Sequence, residues 1–190
     1  MFFDKLENYV KIYKGFLNDE ICDHAVNELE NVEWETHTFY NYAKNDYHST
    51  EKELSVYFND DITAKQYLME QTWQTIEKYI LKDYNFQGYF DGWSGYTNIR
   101  FNRYKEKTNM KLHCDHIHDM FDGERKGIPI LSIIGNLNDD YEGGEFVMWE
   151  NTEYKLGKGD IMIFPSNFLY PHRVNDVTKG TRYSFVSWVW

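Results

Sequence analysis

Residues 110–116 read Met-Lys-Leu-His-Cys-Asp-His, which places His113 and Asp115 two positions apart. A further imidazole, His172, follows in the sequence Tyr-Pro-His at residues 170–172. Two imidazoles and one carboxylate are the ligand set of a facial non-haem Fe(II) site with open coordination positions. Because residues i and i+2 of a strand point to the same side, we expect His113 and Asp115 to converge while Cys114 faces away. A distant strand must then deliver His172.

A second short pattern lies ten residues beyond His172. Residues 180–184 read Gly-Thr-Arg-Tyr-Ser, so Arg182 and Ser184 also stand two positions apart. On a strand they supply a fixed cation and a hydroxyl on one face. A buried carboxylate needs such a counter-ion, and a guanidinium can pair with it bidentately. This order of ligands, arginine and serine is far more specific than a His-x-Asp pattern alone.

With these residues the chain resembles the iron- and 2-oxoglutarate-dependent oxygenases, specifically the prolyl 4-hydroxylase-like branch. The resemblance covers roughly residues 96–190, and residues 16–22 show a weaker similarity to the same family. It implies that His113, Asp115 and His172 bind iron and are the catalytic residues. A facial triad leaves three positions free. The keto oxygen and adjacent carboxylate of 2-oxoglutarate can take two of them, and O₂ the third.

The resemblance also implies a co-substrate site. The 2-oxoglutarate would be held by Arg182, Ser184 and Tyr104, a tyrosine nine residues before the first ligand histidine. The glycine-rich stretch that follows this tyrosine in the family is here Lys-Glu-Lys-Thr-Asn at residues 105–109, which is a departure. Many collagen-type relatives carry Lys where this chain has Arg182, whereas other branches carry Arg. The implied cofactors are Fe(II), 2-oxoglutarate and O₂, with ascorbate as a potential stimulant.

The implied reaction is hydroxylation of an unactivated C–H bond coupled to decarboxylation of 2-oxoglutarate. The branch favours a prolyl residue in a peptide or protein as substrate. A hydroxylase of a free amino acid or other small metabolite would share every motif above. A non-catalytic β-helix module that binds a metal or ligand would keep the fold but lose ligands, and none is missing. A nucleic-acid demethylase of this fold would carry a second Arg where this chain has Trp188.

Composition and charge narrow the partners. The 190 residues fit one domain, and they carry a formal net charge of −11. Since no Lys/Arg-rich run is present, a nucleic-acid partner is not expected. Nothing reads as a secretory leader or a membrane helix, so we expect a cytoplasmic protein without a membrane partner. Cys22 and Cys114 do not suggest a disulfide framework, and the oligomeric state stays open.

The hydrophobic pattern predicts a mainly β protein with flanking α-helices, a double-stranded β-helix or jelly-roll. We expect residues 1–95 to form a support region and residues 96–190 the oxygenase core of one domain. Asn18 can cap a helix over about residues 19–30, and a second helix with Trp73 in its buried stripe should span about 62–81. Strands are expected at about 10–13, 33–39, 54–58, 96–104, 128–137, 145–149, 161–164 and 182–190.

Other polar residues allow two interpretations. His116 and His118 could form a zinc cluster with His113, but they fit better at the mouth of the pocket, because the cysteines lie outside zinc-ligand spacing. Arg100 and Arg103 read more readily as solvated or ion-paired strand residues than as substrate contacts. The polar segments 40–55 and 116–127 lack clear periodicity. We expect both to border the iron site and to be mobile without substrate.

Overall fold

The computed structural model describes residues 5–41, 43–85, 95–115 and 128–190. Its helices are a 3₁₀-helix at Leu6–Tyr9, α1 at Asp19–Leu29, α2 at Lys65–Glu77 and a π-helical extension at Lys78–Asp83. Its strands are β1 Lys11–Tyr13, β2 Glu35–Thr36, β3 Phe39–Asn41, β4 Asp46–His48, β5 Ser55–Tyr57, β6 Arg100–Tyr104, β7 Met110–His113, β8 Leu131–Asn136, β9 Glu142–Gly143, β10 Phe146–Met148, β11 Thr152–Tyr154, β12 Ile161–Pro165, β13 His172–Val174, β14 Val177–Lys179 and β15 Arg182–Val189.

Two antiparallel sheets form the body of the fold. The larger has seven strands in the order β1-β12-β8-β15-β6-β5-β2, and the smaller has four in the order β11-β10-β13-β7. Strands β8 and β15 are buried along their whole length. The N-terminal strands β1, β2 and β5 extend the large sheet at its two edges. The mainly β architecture with flanking helices that the sequence predicts is confirmed.

One face of the large sheet packs against the smaller sheet. Ile134, Met162 and Val186 of the large sheet share a buried cluster with Phe146 and Val174 of the small sheet. These apolar side chains exclude water from the space between the sheets. Polar groups placed in the same space are therefore held in a poorly solvated environment.

The opposite face of the large sheet is covered by the two helices. Phe185 of β15 and Ile133 of β8 belong to one cluster with Ala25 and Leu29 of α1 and Leu68 of α2. Side chains alternate along a strand, so the residues on either side of Phe185 point the other way, between the sheets. This alternation is how β15 serves the core with one face and the candidate site with the other.

Both predicted helices are present, with one correction. Asn18 caps α1, and its Oδ1 accepts a hydrogen bond from a backbone N–H of the first turn at 3.1 Å. Trp73 was expected in the buried stripe of α2, but it is 40% exposed and stacks on Tyr96. Thr72 is buried instead. Its hydroxyl donates a hydrogen bond to the Leu68 carbonyl, so this buried polar group is paired.

Every predicted strand has a counterpart, although most are shorter than expected. Strands β3, β4, β9, β11 and β14, each of two or three residues, were not predicted. Strands β3 and β4 pair as a hairpin inside the segment expected to be irregular. None of the helices in the described residues is long and apolar enough to cross a membrane.

Candidate active site

The smaller sheet brings two histidines together. Strand β7 ends at His113 and β13 begins at His172, and the two residues face each other in antiparallel register. Asp115 lies two residues beyond the end of β7, so the expectation that one strand carries both His113 and Asp115 is corrected. The chain beyond the strand still brings Asp115 to the imidazoles, while Cys114 approaches the carbonyl of Phe168 instead.

The three side chains form a compact donor cluster. Oδ1 of Asp115 lies 3.4 Å from Nε2 of His113 and 3.8 Å from Nε2 of His172. One ligand atom from each residue lies within 4.8 Å of the others, a separation that one metal ion can bridge. Two nitrogen donors and one carboxylate oxygen are the donor set of a non-haem Fe(II) site.

Backbone carbonyls orient both imidazoles. Nδ1 of His113 lies 2.8 Å from the carbonyl oxygen of Lys111, and Nδ1 of His172 lies 3.1 Å from that of Tyr170. A carbonyl accepts but cannot donate, so each Nδ1 carries the hydrogen and each Nε2 keeps its lone pair toward the cluster. Such outer contacts fix the tautomer that a metal needs.

Electrostatics keeps His172 and Asp115 in their ligating protonation states, whereas the pKa of His113, which burial alone would lower, is raised by the hydrogen bond and charge of Asp115. Burial, together with the neighbouring His113, lowers the pKa of His172 to about 4, so His172 is neutral near pH 7. Burial alone would raise the pKa of Asp115, but attraction to protonated His172 and the hydrogen bond and charge of His113 hold it well below its usual range. A neutral imidazole and an ionised carboxylate are the forms that bind a metal.

A buried serine pair supports the carboxylate from behind. Ser132 on β8 donates a hydrogen bond to Oδ2 of Asp115, the oxygen that does not face the imidazoles. The Ser132 hydroxyl also lies 2.7 Å from that of Ser166. Both serines are almost fully buried. This arrangement fixes which carboxylate oxygen faces the cluster, and the sequence carries no motif that predicts it.

A buried guanidinium stands on the neighbouring sheet. Arg182 is 2% exposed, and its Nε donates to Oδ1 of Asn136 at 3.0 Å. Its Nη1 is buried and has no hydrogen-bond partner among the described residues. The chain thus holds a buried cation with an unused donor, a costly arrangement unless an anion binds there. Asn136 was not identified from the sequence.

Tyr104 and Ser184 complete this part of the site. Tyr104 lies opposite Arg182 in the β6–β15 register, and the guanidinium carbon lies 5.2 Å from the centre of its ring. Ser184 lines the same cavity as Arg182 and the His113–Asp115–His172 cluster. The structure therefore brings every site residue expected from the sequence into one cavity between the sheets.

A larger cleft of about 510 Å³ opens beside this cavity. The β3–β4 hairpin forms one wall with Phe39, Tyr40 and Tyr47, and His113 and Asp115 lie at its base. As expected, residues of segment 40–55 border the candidate iron site. The expected mobility of this segment without substrate stays a prediction. Segment 116–127, with the two further histidines considered as zinc ligands, lies outside the described residues.

Comparison with known sequences finds similarity over about half of the chain. Residues 99–190 match the family model of the 2OG-Fe(II) oxygenase superfamily. A PKHD-type hydroxylase of Idiomarina loihiensis is 36% identical over 94 residues, which are 48% of this chain and 41% of that protein. A PKHD-type hydroxylase of Crocosphaera subtropica is 33% identical over 97 residues, which are 48% of this chain and 42% of that protein. The chain thus spans less than half the length of these relatives.

Comparison with solved structures identifies the fold. A prolyl hydroxylase from Trichoplax adhaerens, solved with a hypoxia inducible factor peptide, gives a TM-score of 0.72 at 16% identity and covers 96% of this chain and 84% of that chain. A viral collagen prolyl hydroxylase from Paramecium Bursaria Chlorella virus-1, solved with 2-oxoglutarate, gives 0.65 at 16% identity over 95% and 94% of the two chains. The predicted double-stranded β-helix is confirmed. Residues 99–190 match the 2OG-Fe(II) oxygenase superfamily, and the fold of the chain is similar to that of prolyl hydroxylases.

Proposed function

We propose that the chain is an Fe(II)- and 2-oxoglutarate-dependent dioxygenase that hydroxylates a C–H bond of a prolyl residue in a peptide or protein. The observation that carries this proposal is the His113–Asp115–His172 cluster beside the unpaired Nη1 of Arg182. The cluster offers metal ligands, and Arg182 offers a donor for an anion. Both line a single cavity. A ligand that chelates the metal and also carries a distal carboxylate would bind to the metal and to Arg182 together.

In this proposal His113, Asp115 and His172 hold Fe(II). Bound iron supplies the activation of O₂, coupled to decarboxylation of 2-oxoglutarate. The chain contributes geometry, because the two Nδ1 contacts fix the rings and Ser132 fixes the carboxylate. It also excludes water from the ligands, because Phe146 and Phe164 pack against the ring of His172. A dry, pre-oriented donor set limits side reactions with water.

The co-substrate would be held by Arg182, Tyr104 and Ser184. Its distal carboxylate needs a counter-ion in this buried cavity, and Arg182 is a buried cation with an unused donor. Asn136 holds Nε of Arg182, so the fork is oriented before the ligand arrives. Tyr104 contributes a ring beside the guanidinium and a hydroxyl, and Ser184 contributes a second hydroxyl from the same strand face.

A peptide substrate is supported by the outer cleft. Aromatic and apolar side chains, among them Phe39, Tyr47, Phe58 and Trp188, make up half of the lining of the cleft, which also includes the candidate iron ligands His113 and Asp115. Its volume suits a short extended segment of chain. A structural neighbour, the Trichoplax adhaerens prolyl hydroxylase, was solved with a peptide. Hydroxylation of a free amino acid or small metabolite stays the alternative.

The test is a substrate screen with a catalytic control. Proline-containing peptides and free amino acids are incubated with the protein, Fe(II), ascorbate and 2-oxoglutarate, and the products are analysed by mass spectrometry. We expect a peptide to gain the mass of one oxygen atom and His172→Ala to give no product. Product from free amino acids alone would establish the alternative substrate class. Metal binding without any turnover would instead identify a non-catalytic binding module.

A further inference from the structure

One cation of the candidate active site has no role in the proposed chemistry. Arg100, at the start of β6, lines both the inner cavity and the outer cleft. Its Nε donates to Oδ1 of Asn102 at 3.0 Å, and its guanidinium carbon lies 5.0 Å from the ring centre of Trp188. These two contacts hold the planar group at the boundary between iron ligands and substrate cleft.

Arg100 lacks a carboxylate partner among the described residues. No ion pair and no hydrogen bond from either Nη group reaches a residue in the described ranges, so Arg100 is not ion-paired there, while its partial exposure agrees with the solvated alternative. Asp115 is engaged by the imidazoles and Ser132. Glu53, the other acid whose charge acts on Arg100, accepts from His37 at 3.1 Å. Burial lowers the pKa of Arg100, as expected of an incompletely compensated cation.

A second unused donor lies at the same place. Trp188 is 4% exposed, and its indole N–H has no acceptor among the described residues. Trp188 also lines both the cavity and the cleft. One charged and one neutral donor therefore face the same space, and neither the Nη groups nor the indole N–H has a hydrogen-bonded acceptor among the described residues. A ligand with oxygen acceptors would satisfy both.

The position of Arg100 separates it from the 2-oxoglutarate site. Arg100 and Tyr104 point to the same face of β6 but lie four residues apart, which is about 13 Å along a strand. Tyr104 pairs with Arg182, whereas Arg100 pairs with Val186 at the other end of the register. Arg182 lines only the inner cavity, whereas Arg100 also lines the outer cleft. Arg100 therefore faces the other ligand, the substrate.

We propose that Arg100 binds a carboxylate of the substrate and makes the enzyme selective for acidic groups next to the hydroxylated residue. The planar guanidinium matches a carboxylate bidentately, and its stacking on Trp188 limits the directions in which it can donate. The carboxylate comes either from an acidic side chain beside the target proline or from a free C-terminus. This inference rests on the proposed hydroxylase function and refines its substrate class.

Four peptides of one parent sequence test the proposal. One pair carries Asp or Asn after the proline, and the other ends at the proline as a free acid or an amide. Their dissociation constants are measured without O₂ on protein loaded with Fe(II) and 2-oxoglutarate, so that binding is observed without turnover. We expect the acid of at least one pair to bind about tenfold more tightly than its neutral partner. The pair that discriminates identifies the source of the carboxylate.

Variants assign the discrimination to Arg100. Arg100→Gln should bring acid and neutral peptides to equal affinity, and Arg100→Lys should retain part of the difference, with 2-oxoglutarate affinity unchanged in both. Arg103→Gln is the matched control, because Arg103 lies over Trp34 and lines neither cavity, and it should keep the full preference.

Equal affinities in the wild-type protein, or an acid preference that survives Arg100→Gln, would overturn the proposal. A preference that depends on Arg100 in a protein that hydroxylates no peptide would support it and contradict the proposed reaction alone.

Discussion

At the scale of single residues, the site is organised by atoms that face away from the iron position. The two Nδ1 atoms bind backbone carbonyls, Asp115 accepts from Ser132, and Arg182 is held by Asn136. In each case another atom of the same side chain stays free to bind a metal or an anion in the cavity. Pre-orientation of this kind lowers the cost of binding a metal or an anion, because the side chains have little freedom left to lose.

Replacement of His172 should remove the metal without unfolding the chain. His172→Ala deletes one of three ligands, so we expect the equivalent of one bound Fe(II), measured by elemental analysis, to be lost together with turnover. The circular dichroism spectrum should stay that of the wild type. His24→Ala is the control, since His24 is an exposed helix residue bonded to Thr63. Full metal occupancy in His172→Ala would contradict the assignment.

Replacement of Arg182 should weaken 2-oxoglutarate binding far more than replacement of Tyr104. Arg182→Ala removes the partner of a buried charge, which costs about 3–5 kcal/mol. Tyr104→Phe removes one neutral hydrogen bond, worth about 1 kcal/mol. Titration of 2-oxoglutarate into the metal-loaded protein measures both losses. Wild-type affinity in Arg182→Ala would place the co-substrate elsewhere.

Loss of the serine behind Asp115 should reduce metal affinity while every ligand stays in place. Ser132→Ala frees Oδ2 of Asp115, and loss of such an outer contact typically costs about 10–100-fold in metal affinity. Mn(II) titration followed by electron paramagnetic resonance measures it. Ser187→Ala is the control, because this buried serine bonds Thr97 instead. Equal Mn(II) affinity of the two variants would show that Ser132 only fills space.

The ligands could be predicted from sequence and their supports could not. His113, Asp115, His172 and Arg182 follow a spacing that few proteins share, so their order alone identifies them. Ser132 and Asn136 belong to residue types that occur everywhere in proteins. Their roles arise from the register of β8 against its neighbours, which places Ser132 behind Asp115 and Asn136 opposite Ser184. No local sequence pattern specifies the pairing register between strands that are distant in the chain.

At the scale of elements, local signals predict helices and long strands best. Asn18 and the acidic first turn fix the start of α1 within one residue. The apolar run around β8 and the final strand β15 are also found where expected. Strand β7 is different, since it ends at His113 rather than continuing through Asp115. Nothing in the local sequence indicates that the strand stops at His113.

Packing between β8 and β15 offers a stability prediction. Gly135 lies opposite Phe185, and a Cβ at Gly135 would lie 2.1 Å from the Phe185 ring, far inside van der Waals contact. Gly135→Ala should therefore lower the free energy of unfolding by about 1–3 kcal/mol, measured by urea denaturation. Gly157→Ala should have a much smaller effect, since its nearest neighbour would be Asp160 at 3.5 Å. Equal stability of the two variants would show that Phe185 can move aside without cost.

At the scale of the whole molecule, the two sheets enclose the cavity of the candidate site, and residues of the β3–β4 hairpin line the cleft beside it. Along β6 the sites follow in order, with Tyr104 beside the buried Arg182 and Arg100 at the cleft. Strands from the first 60 residues extend the large sheet at both edges, so the region expected to support residues 96–190 is joined to it by hydrogen bonds. The division into support region and catalytic core stays a prediction.

The central claim is that this cavity couples 2-oxoglutarate consumption to oxygen insertion at the His113–Asp115–His172 site. The most direct measurement uses ¹⁸O₂ with a proline-containing peptide, Fe(II) and 2-oxoglutarate, and follows succinate and peptide mass together. We predict one succinate for each ¹⁸O-labelled hydroxyl in the product, and neither from His172→Ala. A hydroxyl that carries oxygen from water, or product formed in the absence of 2-oxoglutarate, would contradict the claim.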